Sequence, residues 1–465
     1  MRIFNLNLIN MNAVDIIMLV NYIFITLLGV LSAYRFLFIV LGFFKAPRYK
    51  KSTDYKNYAF LISARNEEKV IGNLVKSIKK QKYPQDKITV FVVADNCTDK
   101  TAEKARDAGA VVYERFNNEF IGKGYALNFL TKHIIQDYGS MKVFDGYFVI
   151  DADNVLDGYF VEKMNDAFSA GNKVVRSYIS SKNFGSNFIS AGYGYHHLRI
   201  MRTLHIPRTK LNLSCTVNGT GVLISSEILE ANGGWTNLTI TEDIEFSIDT
   251  ILKGYQIVNC YDAILYDEQP TTFKVMFRQR IRWAKGYLIM FKTHTLAVLK
   301  KLFRCKISEV NDIYGDKQNK QTWAQRKFTL YDMAFQIFPY SLVVFVWKLM
   351  YFIALIIAQA CLGMSVVAGL SNLGIAFLQS FLTLYLTSFI QVIPVTIIEW
   401  KRIACSNVKK ILYMFTFPIF DLFSLPITFI ALFSNVTWKP IEHKDTTTID
   451  TIEEIHKKYN KKHEE

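Results

Sequence analysis

Long apolar runs stand near both ends of the chain, and a shorter-period pattern fills the middle. Val14 to Phe44 is almost continuously apolar, interrupted by Asp15, Asn21 and Arg35. It exceeds the roughly 20 residues that span a bilayer. It is also too long for the apolar region of a signal peptide, and no small-residue cleavage site follows. Leu330 to Trp400 has room for two spans, expected at 336–360 and 374–398 with a break near Gly363 to Gly374. A third run, Ile411 to Phe433, contains Pro418, Asp421 and Pro426. An Asp in lipid is expensive and usually faces protein or water. A kinked span, a channel-lining helix and a re-entrant helix therefore all fit this run. Three late crossings leave the tail from Trp438 outside and two leave it inside; its mixed charge does not decide.

Between about 55 and 300 the pattern alternates strand and helix. "YAFLIS" (58–63) runs into "ARNEE" and an amphipathic stretch. "ITVFVVAD" (88–95) runs into a helix start with a Gly stop, and "AVVYERF" and "GKGYALNFLTKHI" precede "GYFVIDAD" (146–153). Short apolar runs separated by helical patterns predict an α/β domain with a mostly parallel sheet buried on both faces. Ligands of such sheets sit beyond the carboxyl ends of the strands, which here carry Ser63, Asp95, Asp151 and Asp153. No GxGxxG follows the first strand, so a Rossmann-type dinucleotide site is not indicated.

Composition and charge sharpen this picture. The chain has 465 residues, is 51% hydrophobic and carries a formal net charge of +15. Nucleic-acid binding is disfavoured as the cause, because the basic clusters flank the apolar runs: "KAPRYKK" from Lys45, Lys300–Lys301, and Lys401 to Lys410. Lys and Arg collect on the cytoplasmic side of spans, which puts the N-terminus outside and the middle domain in the cytoplasm. Six scattered cysteines form no CxxC pair and no zinc spacing, and read as unpaired thiols. The chain thus divides into an N-terminal span with its basic flank (1–50), an α/β domain ending in an interfacial helix (51–300), a polar stretch (301–330), two to three spans (331–435) and a polar tail (436–465). The polar stretch reads as a linker, with a mobile gating loop as the alternative.

Several short stretches bear chemistry. Asp151 and Asp153 end a strand at i and i+2, on one face. Paired carboxylates there suit a hard divalent cation, and Mg²⁺ takes its remaining ligands from water and phosphates; a polar strand end is the plain alternative. In "ITEDIEFSIDTILKGY", Thr241 reads as a cap, and Glu242 and Asp243 as acidic residues at a positive helix end. One of them as a general base is the functional alternative. Lys123 stands between two glycines before a helix, a turn or a site for an anion. Gly219 and Gly221 allow close backbone approach or simply a tight turn. The pair His196–His197 lacks a third ligand at helical spacing and reads as packed or solvated. In "FRQRIRWAKG", Gln279, Arg282 and Trp283 fall on one helical face. Arg282 suits a diphosphate and Trp283 offers a plate for a sugar ring. Arg278, Arg280 and Lys285 beside "YLIMF" make an interfacial helix.

Taken in order, "SARNEE", "VVADNCTDKT", "GKGYALN", "DADN", "ANGGWTNLTITEDIE" and "QRIRW" resemble the membrane-embedded family-two glycosyltransferases. The resemblance is to the processive branch of cellulose, chitin, hyaluronan and poly-N-acetylglucosamine synthases. It covers roughly 55–300 closely and the flanking spans loosely. It implies a GT-A type nucleotide-sugar-binding domain inserted between transmembrane helices. It also implies inverting transfer of a sugar from a UDP-sugar, UDP-N-acetylglucosamine or UDP-glucose first, with Mg²⁺ or Mn²⁺. The acceptor is a growing polysaccharide at the cytoplasmic face, with export, or alternatively a membrane lipid that receives one or a few sugars. By the resemblance, Ala64, Arg65 and Glu67 match the loop beneath the nucleotide, Asp95 the uracil reader and Lys123 the approach to the diphosphate. Asp151 and Asp153 match the metal and diphosphate carboxylates, and Asp243, beside Glu242, the catalytic base. Gln279, Arg282 and Trp283 match QxxRW, which holds the leaving diphosphate and floors the acceptor site.

Overall fold

A computed structural model describes residues 11–306, 321–363, 365–437 and 440–461. Eight strands form one sheet in the order β3-β2-β1-β4-β7-β6-β8-β5. They are β1 (Tyr58–Ala64), β2 (Ile88–Asp95), β3 (Val111–Arg115), β4 (Gly146–Asp151), β5 (Val155–Leu156), β6 (Val174–Ser181), β7 (Val222–Ser225) and β8 (Ile257–Asp267). β1 pairs in parallel with both β2 and β4, and β2 with β3. β7 then runs antiparallel to β4 and β6, and β6 and β8 are parallel again. The expected mostly parallel sheet is therefore present, with reversals at β7 and at the edge strand β5.

The two-residue period of β1 explains the layering. Tyr58, Phe60 and Ile62 pack on one face with Ile71, Leu74 and Ile78 of the helix Ile71–Lys79. Ala59 and Leu61 pack on the other with Leu127, Leu130 and Ile134 of the helix Lys123–Tyr138. Alternate side chains of a strand point to opposite faces, so a strand apolar at every position is covered on both. Ala64, Asp95 and Asp151 consequently emerge side by side at one end of the sheet.

A third apolar layer joins the domain to the helices beyond it. Tyr193 and Leu198 of the helix Phe188–Ile200 pack with Val392, Val395, Phe417 and Phe420. Buried ion pairs Arg202–Glu399 and Arg208–Asp332 cross the same junction. Each charge there is tolerable only because its partner is beside it.

Among the described residues, four helices are long and apolar enough to cross a membrane: Ala13–Ser32, Tyr340–Cys361, Gly369–Ile398 and the kinked Asn407–Phe433. The N-terminal run, read as one span, divides into Ala13–Ser32 and Tyr34–Gly42. The later spans start four and eight residues from their expected positions, at Tyr340 and Val366, because helix ends follow caps and contacts rather than hydropathy alone. Asp421 in the last run faces protein, bound by Arg199 at 2.9 and 3.0 Å. The polar stretch 301–330 is not all loop. The helix Trp323–Ile337 begins within it, capped by Thr322, and 307–320 lie outside the described residues, as do 1–10 and 462–465. The polar tail contains the helix Ile449–Lys461. All six cysteines are free thiols.

Candidate active site

Beyond β1, Arg65, Asn66 and Glu67 turn the chain, with Asn66 at φ +58°. The Glu67 N–H donates to Thr101 Oγ1 at 2.7 Å, which fixes the loop expected beneath a nucleotide. Asp95, at the end of β2, is buried and accepts a 2.5 Å bond from Arg115. Burial raises its carboxyl pKa, opposed by Arg115. The expected uracil reader thus lies at the site, with one oxygen already engaged.

The centre is a knot of opposite charges. Lys123 opens the helix Lys123–Tyr138 after Gly122. Its Nζ donates to Asp151 and, at 2.7 Å, to the Gly219 carbonyl, and stands 3.9 Å from Glu242 Oε1. Burial alone would lower the Lys123 pKa, but Asp151 and Glu242 outweigh it and hold the ammonium charged. Gly219 also donates its N–H to Asp243 Oδ2 at 2.6 Å. Ser247 Oγ ties the same loop from below, accepting from Val217 N–H and donating to the Asp243 carbonyl, both at 2.8 Å. Gly219 and Gly221 sit at φ +78° and +73°, and a Cβ on Gly221 would lie 2.1 Å from Ser177 Oγ. Only glycine suits that backbone and that gap. Burial pushes Glu242 up to about 7, with Lys123 opposing and Asp243 adding to the rise. Burial also raises Asp243, opposed chiefly by the Gly219 N–H.

Thr241 does not cap its helix. Its side chain makes no capping bond, and its buried Oγ1 lacks a hydrogen-bond partner among the described residues. The reason is tertiary: Gly286 of the helix Phe273–Arg304 presses against it, and a Cβ there would stand 2.2 Å from Thr241 Cγ2. The same helix brings Arg282 Nη1 to the Ile240 carbonyl at 3.1 Å. Trp283 lies edge-on to Tyr193, centroids 5.7 Å apart, and Gln279 Oε1 is buried without a hydrogen-bond partner among the described residues. Arg280 and Lys285 donate to the Phe420 and Leu432 carbonyls. Two of the basic residues beside "YLIMF" therefore bind the ends of the last apolar helices, as cations commonly do.

Asp151 and Asp153 diverge, although i and i+2 predicted a shared face. β4 stops at Asp151 and a turn follows. Asp153 turns instead toward Asn154 at 3.3 Å and His443 at 3.7 Å. Asp267, at the end of β8, lies in the same acidic group; burial first, then Asp153 and Asp151, raise its carboxyl well above the usual range. That surplus of buried negative charge fits a hard cation. No three His, Cys, Asp or Glu side chains enclose an ion by themselves among the described residues, so phosphate and water ligands would have to complete its shell.

Sequence reading missed Asp267 and His443. Asp267 follows an apolar strand just as Asp151 does, a signal that was present. His443 had none: it is one of three histidines in a polar tail, 376 positions from the Glu67 it binds. His196 and His197 are packed, and burial lowers both pKa values. A cavity of about 420 Å³ lies elsewhere, lined by Tyr49, Lys163 and Tyr261 among others, and takes in none of the central residues.

Residues 56–286 match the family model described as glycosyltransferase like family 2. A beta-monoglucosyldiacylglycerol synthase of Nostoc is 28% identical over 251 residues, 52% of this chain and 52% of its own. A poly-beta-1,6-N-acetyl-D-glucosamine synthase of Staphylococcus aureus is 25% identical over 246 residues, 50% of this chain and 55% of its own. The chain spans about half the length of these relatives. A mannosyltransferase of Pyrobaculum calidifontis, solved with GDP-mannose and Mn²⁺, superposes with a TM-score of 0.52 at 17% identity, covering 87% of this chain and 97% of its own. That likeness is one of fold.

Proposed function

Because residues 56–286 match the family model described as glycosyltransferase like family 2, we propose that this protein is a membrane-bound inverting transferase that moves a sugar from a UDP-sugar onto a growing polysaccharide. The observation that carries the reading is the 2.6 Å bond from the Gly219 N–H to Asp243. It fixes the Asp243 carboxylate beside the Lys123–Asp151 pair and Arg282. A sugar hydroxyl is a weak nucleophile until a base takes its proton, and Asp243 has the position for that task. Lys123 and Arg282 face the side where the leaving diphosphate would gather charge, and buried donors are most effective there. Asp153 and the neighbouring acidic residues would hold Mg²⁺ or Mn²⁺, which supplies further charge against the diphosphate when bound. Trp283, braced by Tyr193, floors the acceptor side.

UDP-N-acetylglucosamine and UDP-glucose are the leading donors. A lipid acceptor is the second reading. It is favoured by the Nostoc relative's name and by the position of the Trp283 helix against the apolar helices.

The placement in the membrane follows from contacts on either side of the last apolar run. Before it, Arg402 stacks on Tyr261 of β8 at 3.8 Å, and Lys409 donates to the Gly185 carbonyl at 2.7 Å. After it, the Lys444 and Asp445 amides donate to Glu268 at 3.1 and 3.0 Å. Both ends touch the catalytic domain, which supports a reading in which Asn407–Phe433 lies in one leaflet without crossing. Three crossings remain, with the catalytic domain and the tail together on the cytoplasmic face.

Membranes carrying the protein, incubated with a panel of UDP-sugars, should release UDP and build a product whose length on gels separates polymer from single glycolipid. Asp243→Asn should lower transfer by about 10² to 10⁴-fold, the range for a lost general base, while UDP binding persists. Near-normal product from that variant would remove the assignment.

A further inference from the structure

Beyond the last apolar helix the chain returns to the donor end of the sheet. Lys69 pairs with Glu442 at 3.1 Å and Lys80 with Asp450 at 2.7 Å. Asn73 donates to the Thr446 carbonyl at 2.9 Å. Ile449 and Ile452 are buried against Val155 and Tyr266. The surface ion pairs add little, so the apolar contact of the two buried isoleucines anchors this strap.

The anchored strap carries His443 into the acidic group. Its Nδ1 lies 2.9 and 3.0 Å from the two oxygens of Glu67. That bond fixes the ring and turns Nε2 toward Asp153 Oδ2, 3.7 Å away. Neither of these two atoms makes a hydrogen bond among the described residues, and 3.7 Å is too long for one. It does suit two ligands of one cation, each bonded at about 2.1 Å. A carboxylate behind the far nitrogen is the usual support of a metal-bound histidine. Asp153 and Glu67 are 5% and 8% exposed, so water does not compete for the arrangement.

We propose that His443 is a ligand of the donor site's divalent cation, sharing it with Asp153 and held in place by Glu67. The inference rests on the donor-site reading given above. The donor's diphosphate and water would supply the remaining ligands, since no third protein ligand among the described residues closes the shell. Mn²⁺ stands lowest of the first-row transition ions in affinity for nitrogen, yet it accepts an imidazole more readily than Mg²⁺, which keeps to oxygen ligands. His443 should therefore tilt the site toward Mn²⁺ over Mg²⁺.

The test uses the full chain in nanodiscs, titrated with Mn²⁺ alone and with Mn²⁺ plus UDP, and followed by electron paramagnetic resonance. Wild-type protein should show spin-echo modulation from a directly bonded ¹⁴N. His443→Ala should lose that modulation and bind Mn²⁺ tenfold or more weakly, with a smaller change for Mg²⁺. Ile452→Asp, which undocks the strap far from the ions, should reproduce both effects and guards against a local folding fault at His443. Absence of the nitrogen signal from wild type, its persistence in His443→Ala, or an unchanged or tighter Mn²⁺ affinity in that variant would overturn the assignment. Failure of the donor-site reading looks different: UDP would not bind wild-type protein, while the Mn²⁺-alone arm would still report on His443.

Discussion

Two adjacent carboxylates, Glu242 and Asp243, share one buried end of a helix with a single ammonium between them and Asp151. Taking both charges out of water favours proton uptake, and Lys123 offsets only part of that cost. The pair therefore gives up its last proton near neutrality rather than at the usual carboxylate range. A base must be deprotonated to act, and burial raises the Asp243 carboxyl, so transfer should fall on the acid side at a higher pH than an ordinary Asp would give. Glu242→Gln removes a negative neighbour, which makes Asp243 easier to ionise. The acidic limb of the pH–rate profile should then move to lower pH, and an unmoved limb would show that the two groups titrate independently. A second effect concerns stability. Glu242 has a raised pKa in the folded state, so its contribution is complete below its ordinary pKa of 4.5 and fades as pH rises toward about 7.

At the scale of elements, the site depends on one helix lying hard against one turn. Phe273–Arg304 delivers Arg282 and Trp283, and its Gly286 is where the two backbones meet. Gly286→Ala would set a Cβ within 2.2–2.8 Å of three side-chain atoms of Thr241. Thr241 is itself buried and cannot swing clear, so the turn before Glu242 must shift. A misplacement of about 1 Å at reacting groups costs on the order of 10²-fold in rate. Gly286→Ala should therefore lose roughly that much activity while still binding UDP, because the Asp95–Arg115 end is untouched. Equal loss of UDP binding and transfer would mean that the helix supports the whole fold, not the acceptor side.

For the whole molecule, the expected outcome is a tail and a catalytic domain on the same face, with Cys361 on the other. An impermeant thiol reagent should reach Cys361, which is exposed between Tyr340–Cys361 and the following helix, from the face opposite the catalytic domain. A cysteine placed at exposed Glu454 should react from the catalytic face, and reaction from the opposite face would make Asn407–Phe433 a true crossing. Much of this protein could be read in the residues themselves. Apolar runs of bilayer length, strands apolar at every position, and acidic strand ends are local patterns with local causes, and they foretold the long apolar helices, the doubly covered sheet and the acidic strand ends at Asp95 and Asp151. Lys123 and Gly219 were singled out as well, each with a bland alternative that only their bonds to Asp151 and Asp243 set aside. What could not be read were the outcomes of competition between distant segments. Thr241 had the right residue type and place for a cap, and lost that role to a glycine from another helix. Asp153 was expected beside Asp151, and a turn sent it to a histidine from the tail. Hydropathy made Asn407–Phe433 long enough to cross, but contacts at its two ends hold both to one domain. Periodicity reports how a segment will coil and which face it will bury; it carries no information on which remote group will arrive at that face, because that depends on the free energy of the assembled chain.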